Sequence, residues 1–173
     1  DLKVKIASPL FGNGDGAEAL AVVIKDRVGE VMQREGLRHP FIALVDHGTP
    51  AIAVNEVRER VAEVAESLLG DKVAGLASCS MERRPEPEYD FNDPLLGDLL
   101  QDRNLVPAGD VVVALLFLSP GRHAGTGGDV EMICEEARRD RSDLRTFLTE
   151  PLGEHPAIVD LLEQRVRECL HAD

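Results

Sequence analysis

The chain has 173 residues, of which 43% are hydrophobic and 29% charged, and it carries a formal net charge of −13. This composition is typical of a soluble globular domain with a substantial core, and no apolar run approaches the roughly 20 residues that span a bilayer. The acidic charge argues against nucleic acid or an anionic membrane surface as a partner, because both require a basic surface.

Strand and helix patterns alternate along the chain. Short apolar, β-branched runs predict strands, and apolar residues spaced three to four apart predict amphipathic helices. The predicted strands are residues 4–10, 41–45, 73–79, 111–118 and 144–149. The predicted helices are residues 17–35, 54–69, 94–100, 129–139 and 156–171, the fourth of them capped by Asp129. This βα order predicts an α/β fold with a parallel sheet and helices on both faces.

The opening of the chain shares an order of residues with its end. A Pro-Leu pair followed by an Arg-Val pair occurs at 9–10 and 27–28, and again at 151–152 and 165–166. The glycine-rich loop 11–16 absorbs the difference in spacing between the two copies. Shared order of this kind favours an internal repeat. We therefore predict that residues 1–38 are the closing strand-helix unit of a preceding homologous half, and that residues 39–173 form one complete domain.

Two histidines follow strongly apolar predicted strands. His47 comes two residues after the run 41–45, and His123 follows the run 111–118 within a glycine-containing loop. Parallel strands present chemistry at their carboxyl ends, so the two side chains are expected at one edge of the sheet. A lone histidine at a strand end is more often an ordinary hydrogen-bonded residue, but the matched placement of two favours a metal-handling cleft.

Motifs after the predicted strands together resemble a known family. They are Asp-His-Gly-Thr at 46–49, Cys-Ser-Met-Glu at 79–82, Phe-Leu-Ser-Pro-Gly-Arg-His at 117–123 and Pro-Leu-Gly-Glu-His-Pro at 151–156. Their order and spacing are similar to those of the class II chelatases, the sirohydrochlorin cobaltochelatases and ferrochelatases of cobalamin and siroheme synthesis. The resemblance extends from about residue 41 to about residue 169.

The resemblance implies a chelatase-like, flavodoxin-like fold and a cobaltochelatase-like lyase. Its substrates would be a sirohydrochlorin-type tetrapyrrole and Co²⁺ or Fe²⁺, with no organic cofactor. His47 and His123 match the family's two active-site histidines, and Glu82 matches the glutamate of its Phe-Leu-Glu or Phe-Met-Glu string. These three are the expected catalytic residues and metal ligands. The chain departs from the family's pattern at Asp46, at Thr49 and in the longer loop 124–128.

The residue types at these positions suit metal insertion. The reaction must strip water from a divalent ion, remove two pyrrole protons and hold the macrocycle in a distorted geometry. Neutral imidazoles capture Co²⁺ or Fe²⁺ and still release it, while Glu82 can neutralise the ion or relay a proton. Without the family pattern, Glu82 would be interpreted as a solvated loop residue. Asp46 either orients the His47 ring or caps the following helix.

Three arginines lie beside the expected site: Arg83, Arg84 and Arg122. One interpretation makes them clamps for the acidic side chains of the tetrapyrrole, because a guanidinium binds a carboxylate through two hydrogen bonds. The other makes them surface charges that balance neighbouring glutamates. A polyanionic ligand requires local positive charge of this kind to offset the overall acidity of the chain.

An alternative function is a non-catalytic metal-binding or scaffold domain of chelatase fold. The tetrapyrrole of two-half chelatases sits between the halves, so a homodimer or an upstream homologous half is the expected partner. The three cysteines, Cys79, Cys134 and Cys169, fit neither a disulfide framework nor a CxxC metal motif. Residues 1–5 show no secretion signal. We therefore expect reduced thiols and a cytoplasmic protein.

Overall fold

The computed structural model describes residues 4–12 and 16–171. These ranges contain α1 (Gly16–Glu35), β1 (Phe41–Asp46), α2 (Ile52–Leu69), β2 (Gly75–Ser80), α3 (Leu96–Gln101), β3 (Gly109–Leu115), α4 (Asp129–Asp140), β4 (Leu144–Leu148) and α5 (Pro156–His171). Short 3₁₀ turns at Gly70–Lys72 and Pro87–Asn92 precede β2 and α3. All of the predicted helices are present, and so are the predicted strands except the first, with ends shifted by a few residues.

The described strands form one parallel sheet in the order β2-β1-β3-β4. Phe41 lies opposite Gly75 on one side and Val111 on the other, and Gly109 lies opposite Leu144. The chain winds outward from β1 in one direction to β2 and in the other direction to β3 and β4. This order reverses between β1 and β3, as in flavodoxin-like sheets. The predicted α/β fold with a parallel sheet is confirmed.

Helices cover both faces of the sheet. Ile42 and Leu44 of β1 pack with α1, α2 and α5, whereas Ala43 and Val45 pack with α3 and α4. All six residues of β1 are buried. A strand covered on both faces needs apolar residues at consecutive positions, which explains the unbroken apolar run at 41–45.

The predicted strand over residues 4–10 is wrong. Residues 4–9 have no regular secondary structure, and a turn follows in which Gly12 N donates to Pro9 O at 2.9 Å. The side chains of Val4 and Ile6 are 73% and 90% exposed. Alternating apolar residues favour a strand, but the first two are mostly exposed, and Pro9 lacks the N–H that a sheet ladder needs.

The proposed strand-helix unit over residues 1–38 therefore contains a helix but no strand in its described part. Its helix, α1, packs against α2 and α5 in the core of the domain. Residues 1–3 and 13–15, on which part of the repeat rests, lie outside the described residues. The origin of this segment in a preceding half stays a prediction.

The cysteines and helices bear on the expected compartment. All three cysteines have free thiols, with Cys79 and Cys134 buried. Burial raises the pKa of both, that of Cys134 to about 11, so these thiols stay protonated at neutral pH. None of the described helices has the length and apolar character needed to cross a membrane. The cytoplasmic location stays a prediction.

Candidate active site

His47 and His123 meet at the carboxyl edge of the sheet. His47 is the residue after β1, and His123 lies in the loop between β3 and α4. Their ring centroids are 4.7 Å apart, with an angle of 77° between the ring planes. The pair lies at the end of the two strands between which the strand order reverses, where parallel sheets of this kind bind their ligands.

Glu82 joins this pair from the loop after β2. Its Oε1 atom lies 3.6 Å from His47 Nε2. The backbone brings the two residues together, because Glu82 N donates to His47 O at 3.2 Å and Met81 N donates to Asp46 O at 2.8 Å. Gly48 makes this approach possible: its φ is +94°, and a Cβ there would lie 1.9 Å from Glu82 O.

Buried polar groups support the His47 loop from below. Asp46 Oδ1 accepts hydrogen bonds from Gly48 N at 3.1 Å and from Arg58 Nη1 at 3.3 Å. The Asn92 side chain binds both backbone groups of Thr49, accepting from Thr49 N at 2.9 Å and donating to Thr49 O at 3.0 Å. No side chain caps α2 at its amino end. Of the two interpretations of Asp46, helix capping is therefore wrong, and the side chain instead shapes the loop that carries His47.

Asp129 holds the ring of His123. The distance from His123 Nδ1 to Asp129 Oδ2 is 2.5 Å. The predicted capping role of Asp129 is wrong, because Gly128 occupies the N-cap position of α4 and makes no side-chain cap. Donation of the Nδ1 proton to this carboxylate leaves Nε2 with a free lone pair, which can take a proton or a metal ion.

The three predicted arginine clamps have different surroundings. Arg83 pairs with Asp93 at 2.8 Å and with Asp90 at 3.0 Å, and the hydrogen bond that it donates to Asp93 raises the pKa of Arg83. Arg84 Nη1 donates to Tyr89 Oη at 2.9 Å.

Arg122 is largely exposed to solvent. Its side chain is 84% exposed, and its Nε lies 3.8 Å from the Asp129 carboxylate that also binds His123. Arg83 and Arg84 are thus held by the segment 87–93, whereas Arg122 projects into solvent beside the histidine pair.

A groove of about 490 Å³ opens between the loops after β1 and β2, lined by residues 47–50 and 82–85. The side chains of His47 and Glu82 are 47% and 62% exposed, so both are accessible to a ligand. Within residues 4–12 and 16–171, no three His, Cys, Asp or Glu side chains are arranged so that they could hold a metal ion. The predicted ligands instead form two pairs. The His47 ring contacts the His123 ring in one pair, and His47 Nε2 lies 3.6 Å from Glu82 Oε1 in the other.

Comparison with known proteins agrees with the resemblance noted in the sequence. The family model described as CbiX matches residues 41–169. The chain belongs to the CbiX family of class II chelatases. This CbiX-family chain is also 26% identical, over 164 residues, to a protein of Arabidopsis thaliana named sirohydrochlorin ferrochelatase, chloroplastic. The aligned region covers 94% of the chain but 61% of that relative, so the chain spans less than two thirds of the relative's length.

Sequence reasoning missed Arg58 and Asn92 and gave Asp129 a different role. A usable signal existed for Arg58, because it lies three residues before Val61 on the face of α2 that is buried. A charged residue on the apolar stripe of a helix indicates a buried polar partner. Asn92 gave no comparable signal, since it lies in a polar segment between predicted elements.

Proposed function

We propose that this chain provides the site at which a chelatase inserts a divalent metal ion into a sirohydrochlorin-type tetrapyrrole. The observation that carries the proposal is the His47–His123 pair, with ring centroids 4.7 Å apart at the edge where the strand order reverses. Membership in the CbiX family supports the reaction class. The metal ion is a substrate here, so the site must release it as well as bind it.

In this proposal His123 is the base that removes the two pyrrole protons one at a time, and it passes each proton to solvent water before it takes the next. Asp129 accepts a hydrogen bond from Nδ1–H, orients the ring and stabilises the imidazolium that forms when Nε2 takes a proton. The contact with Asp129 therefore fixes the direction in which the basic Nε2 atom of His123 points.

His47 and Glu82 receive the metal ion in this proposal. Both side chains are partly exposed, and the carboxylate lies 3.6 Å from the imidazole Nε2. One nitrogen and one oxygen ligand bind a divalent ion more weakly than a closed cage of four ligands would, which suits an ion that must move on to the macrocycle. The negative charge of Glu82 offsets part of the charge of the incoming ion.

Arg122 is the proposed contact for the acidic side chains of the tetrapyrrole, because its guanidinium is exposed beside the histidine pair. Arg83 and Arg84 line the groove. Asp90 and Asp93 offset the charge of Arg83, whereas Arg84 donates to the Tyr89 hydroxyl and contributes positive potential there. The other wall of the cleft would come from a second copy of the chain or from an upstream homologous half.

The choice of metal is also part of the proposal. The Arabidopsis thaliana relative is named a ferrochelatase, so Fe²⁺ is the first ion to test. Co²⁺ remains the other candidate, since imidazole and carboxylate ligands accept both ions.

The test is the absorbance change of sirohydrochlorin on addition of Fe²⁺ or Co²⁺ with the native chain and with single variants. We expect His123→Ala to lower the rate by about 100-fold, the usual contribution of a positioned base. His47→Ala removes a proposed metal ligand and should lower the rate by at least about tenfold. His171→Ala, at the exposed end of α5, is the matched control and should leave the rate unchanged.

The opposite result would be a folded native chain without turnover, alone or supplied with a homologous half. That outcome would replace the chelatase proposal with the alternative of a non-catalytic metal-binding or scaffold domain.

A further inference from the structure

We propose that Arg58 is a positioning residue, which acts through Asp46 and Ser80 to fix the His47 and Glu82 loops relative to each other. The catalytic consequence rests on the function proposed above, whereas the effect on the loops does not. Arg58 lies on α2 and is 1% exposed, so its guanidinium cannot touch a bound tetrapyrrole.

The guanidinium connects the ends of two strands. Its Nη1 atom donates to Asp46 Oδ1 at 3.3 Å and to Ser80 Oγ. Asp46 is the last residue of β1 and directly precedes His47, while Ser80 is the last residue of β2 and lies two positions before Glu82. A single nitrogen therefore joins the two points at which the site loops leave the sheet.

The same nitrogen also lies 3.4 Å from Asn92 O. The side chain of Asn92, which is fully buried, binds Thr49 through both backbone groups. Asp46 binds Gly48 N from the other direction. Arg58 thus contacts both residues that hold the backbone after His47, through the side chain of Asp46 and the main-chain oxygen of Asn92.

The orientation of the guanidinium is fixed from its opposite edge. Nε and Nη2 donate to Glu59 Oε1 at 3.0 and 2.7 Å, and that carboxylate in turn accepts from Ser78 Oγ at 2.8 Å. A buried cation persists only when its donors are paired, so this arrangement is a well-defined support. Lysine, with a single nitrogen, cannot bind Asp46, Ser80 and Glu59 in this geometry.

Arg141 provides a matched control within the same chain. It is 2% exposed and its guanidinium donates to Leu100 O, Val106 O and Asp143. Leu100 lies near the end of α3, Val106 in the connection that leads into β3, and Asp143 directly before β4. Arg141 therefore lies near the amino ends of β3 and β4, at the other end of the sheet from the histidines. Replacement of Arg141 therefore disturbs a buried arginine without disturbing the site loops.

The first measurement is amide hydrogen exchange of the full chain, followed by NMR for wild type, Arg58→Lys and Arg141→Lys. The informative amides are those of Gly48, Thr49 and Glu82, which donate to Asp46, Asn92 and His47 respectively. We expect their exchange to become at least about tenfold faster in Arg58→Lys and to change less than about twofold in Arg141→Lys. Equal effects of the two variants on these amides would overturn the proposal.

A second readout separates positioning from general loss of stability. With sirohydrochlorin and Fe²⁺ as substrates, Arg58→Lys should lower kcat by about tenfold and leave KM for the tetrapyrrole unchanged, because binding contacts remain. In a His47→Ala background, Arg58→Lys should lower kcat little further, because Arg58 acts through the loop that carries His47. A loss that is fully additive with His47→Ala would contradict the proposal.

The two proposals fail in distinguishable ways. A folded wild-type chain with no turnover would contradict the chelatase function, and the exchange measurement would still decide whether Arg58 positions the loops. Ser80→Ala removes one acceptor of Arg58 without removing the buried charge, and it should accelerate exchange at Glu82. Unchanged exchange at Glu82 in that variant would count against the proposal even if Arg58→Lys did not fold.

Discussion

A buried arginine lies at each end of the sheet, and these two residues, Arg141 and Arg58, differ in what they bind. At the amino end Arg141 donates to the main-chain carbonyls of Leu100 and Val106, so it closes the connection that leads into β3. At the carboxyl end Arg58 donates to the side chains of Asp46 and Ser80. The first arrangement organises a connection between elements, while the second organises the loops that carry potential chemistry.

The same contrast applies to the carboxylates. Asp143 at the amino end pairs with Arg141 and Arg103, two groups with permanent charge. Asp129 at the carboxyl end binds His123, an imidazole that can donate or accept a proton. The amino end is therefore built from static ion pairs, and the carboxyl end contains a pair that can gain or lose a proton. The following substitutions test how residues at the two ends of the sheet differ in their effects on stability and on activity.

Arg58→Met should have the largest effect on stability. It leaves Asp46 and Glu59 without their buried partner, which costs about 3–5 kcal/mol in the free energy of unfolding. Arg141→Met should cost less, about 2–3 kcal/mol, because it loses charge-assisted hydrogen bonds to carbonyls and to the part-exposed Asp143. Urea denaturation of both variants measures the difference. A larger loss of unfolding free energy in Arg141→Met than in Arg58→Met would contradict this expectation.

Asp129→Asn should have the next largest effect, on activity. Removal of the charge that orients His123 is expected to lower kcat by about 10- to 100-fold, the range seen when the partner of a functional histidine is replaced. Asp143→Asn is the matched change at the other end of the sheet and should leave kcat within about twofold. The measurement is the initial rate of metal insertion. Equal losses of kcat in Asp129→Asn and Asp143→Asn would show that the two ends of the sheet contribute equally to activity.

Arg122→Ala should raise KM for the tetrapyrrole a few-fold with little change in kcat. Its guanidinium is exposed and only weakly paired, so its loss removes a contact with substrate carboxylates and disturbs no buried network. Arg139→Ala, on an exposed part of α4, serves as the control. A rise in KM that is insensitive to salt would argue against an electrostatic contact.

The smallest effect concerns acid stability at the amino end. The hydrogen bond from Arg141 lowers the pKa of Asp143. A carboxyl whose pKa is lower in the folded state adds stability above its unfolded pKa, and this contribution is lost as pH falls through the folded value. Asp143→Asn should therefore flatten the acid limb of the stability curve below about pH 4. Urea denaturation between pH 3 and 6 measures it, and an unchanged slope would contradict the assignment.

The fold could be predicted from sequence where a strand is covered on both of its faces. The apolar runs that became β1 and β3 carried enough information, because both faces of these strands are covered. The segment 4–10 instead alternates apolar and polar residues and lies outside the sheet, because a period-two pattern does not show whether a partner strand or a buried face is present.

The site could be predicted only in part. His47 and His123 were found because a histidine after an apolar strand must lie at the carboxyl edge. Asp129 was interpreted as a helix cap, since an acidic residue near the start of a helix fits both roles equally well. Arg58 was missed because adjacent charged residues on α2 resemble an exposed polar face, and its partners come from strands distant in sequence.

The most direct test of the account is the rate of Fe²⁺ insertion into sirohydrochlorin by His47→Ala, His123→Ala and the double variant. If the two histidines act as one site, each single substitution should remove most of the activity, and the double variant should be no more than a few-fold worse than either. Single variants that retain the wild-type rate would contradict the assignment of the chemistry to this edge of the sheet.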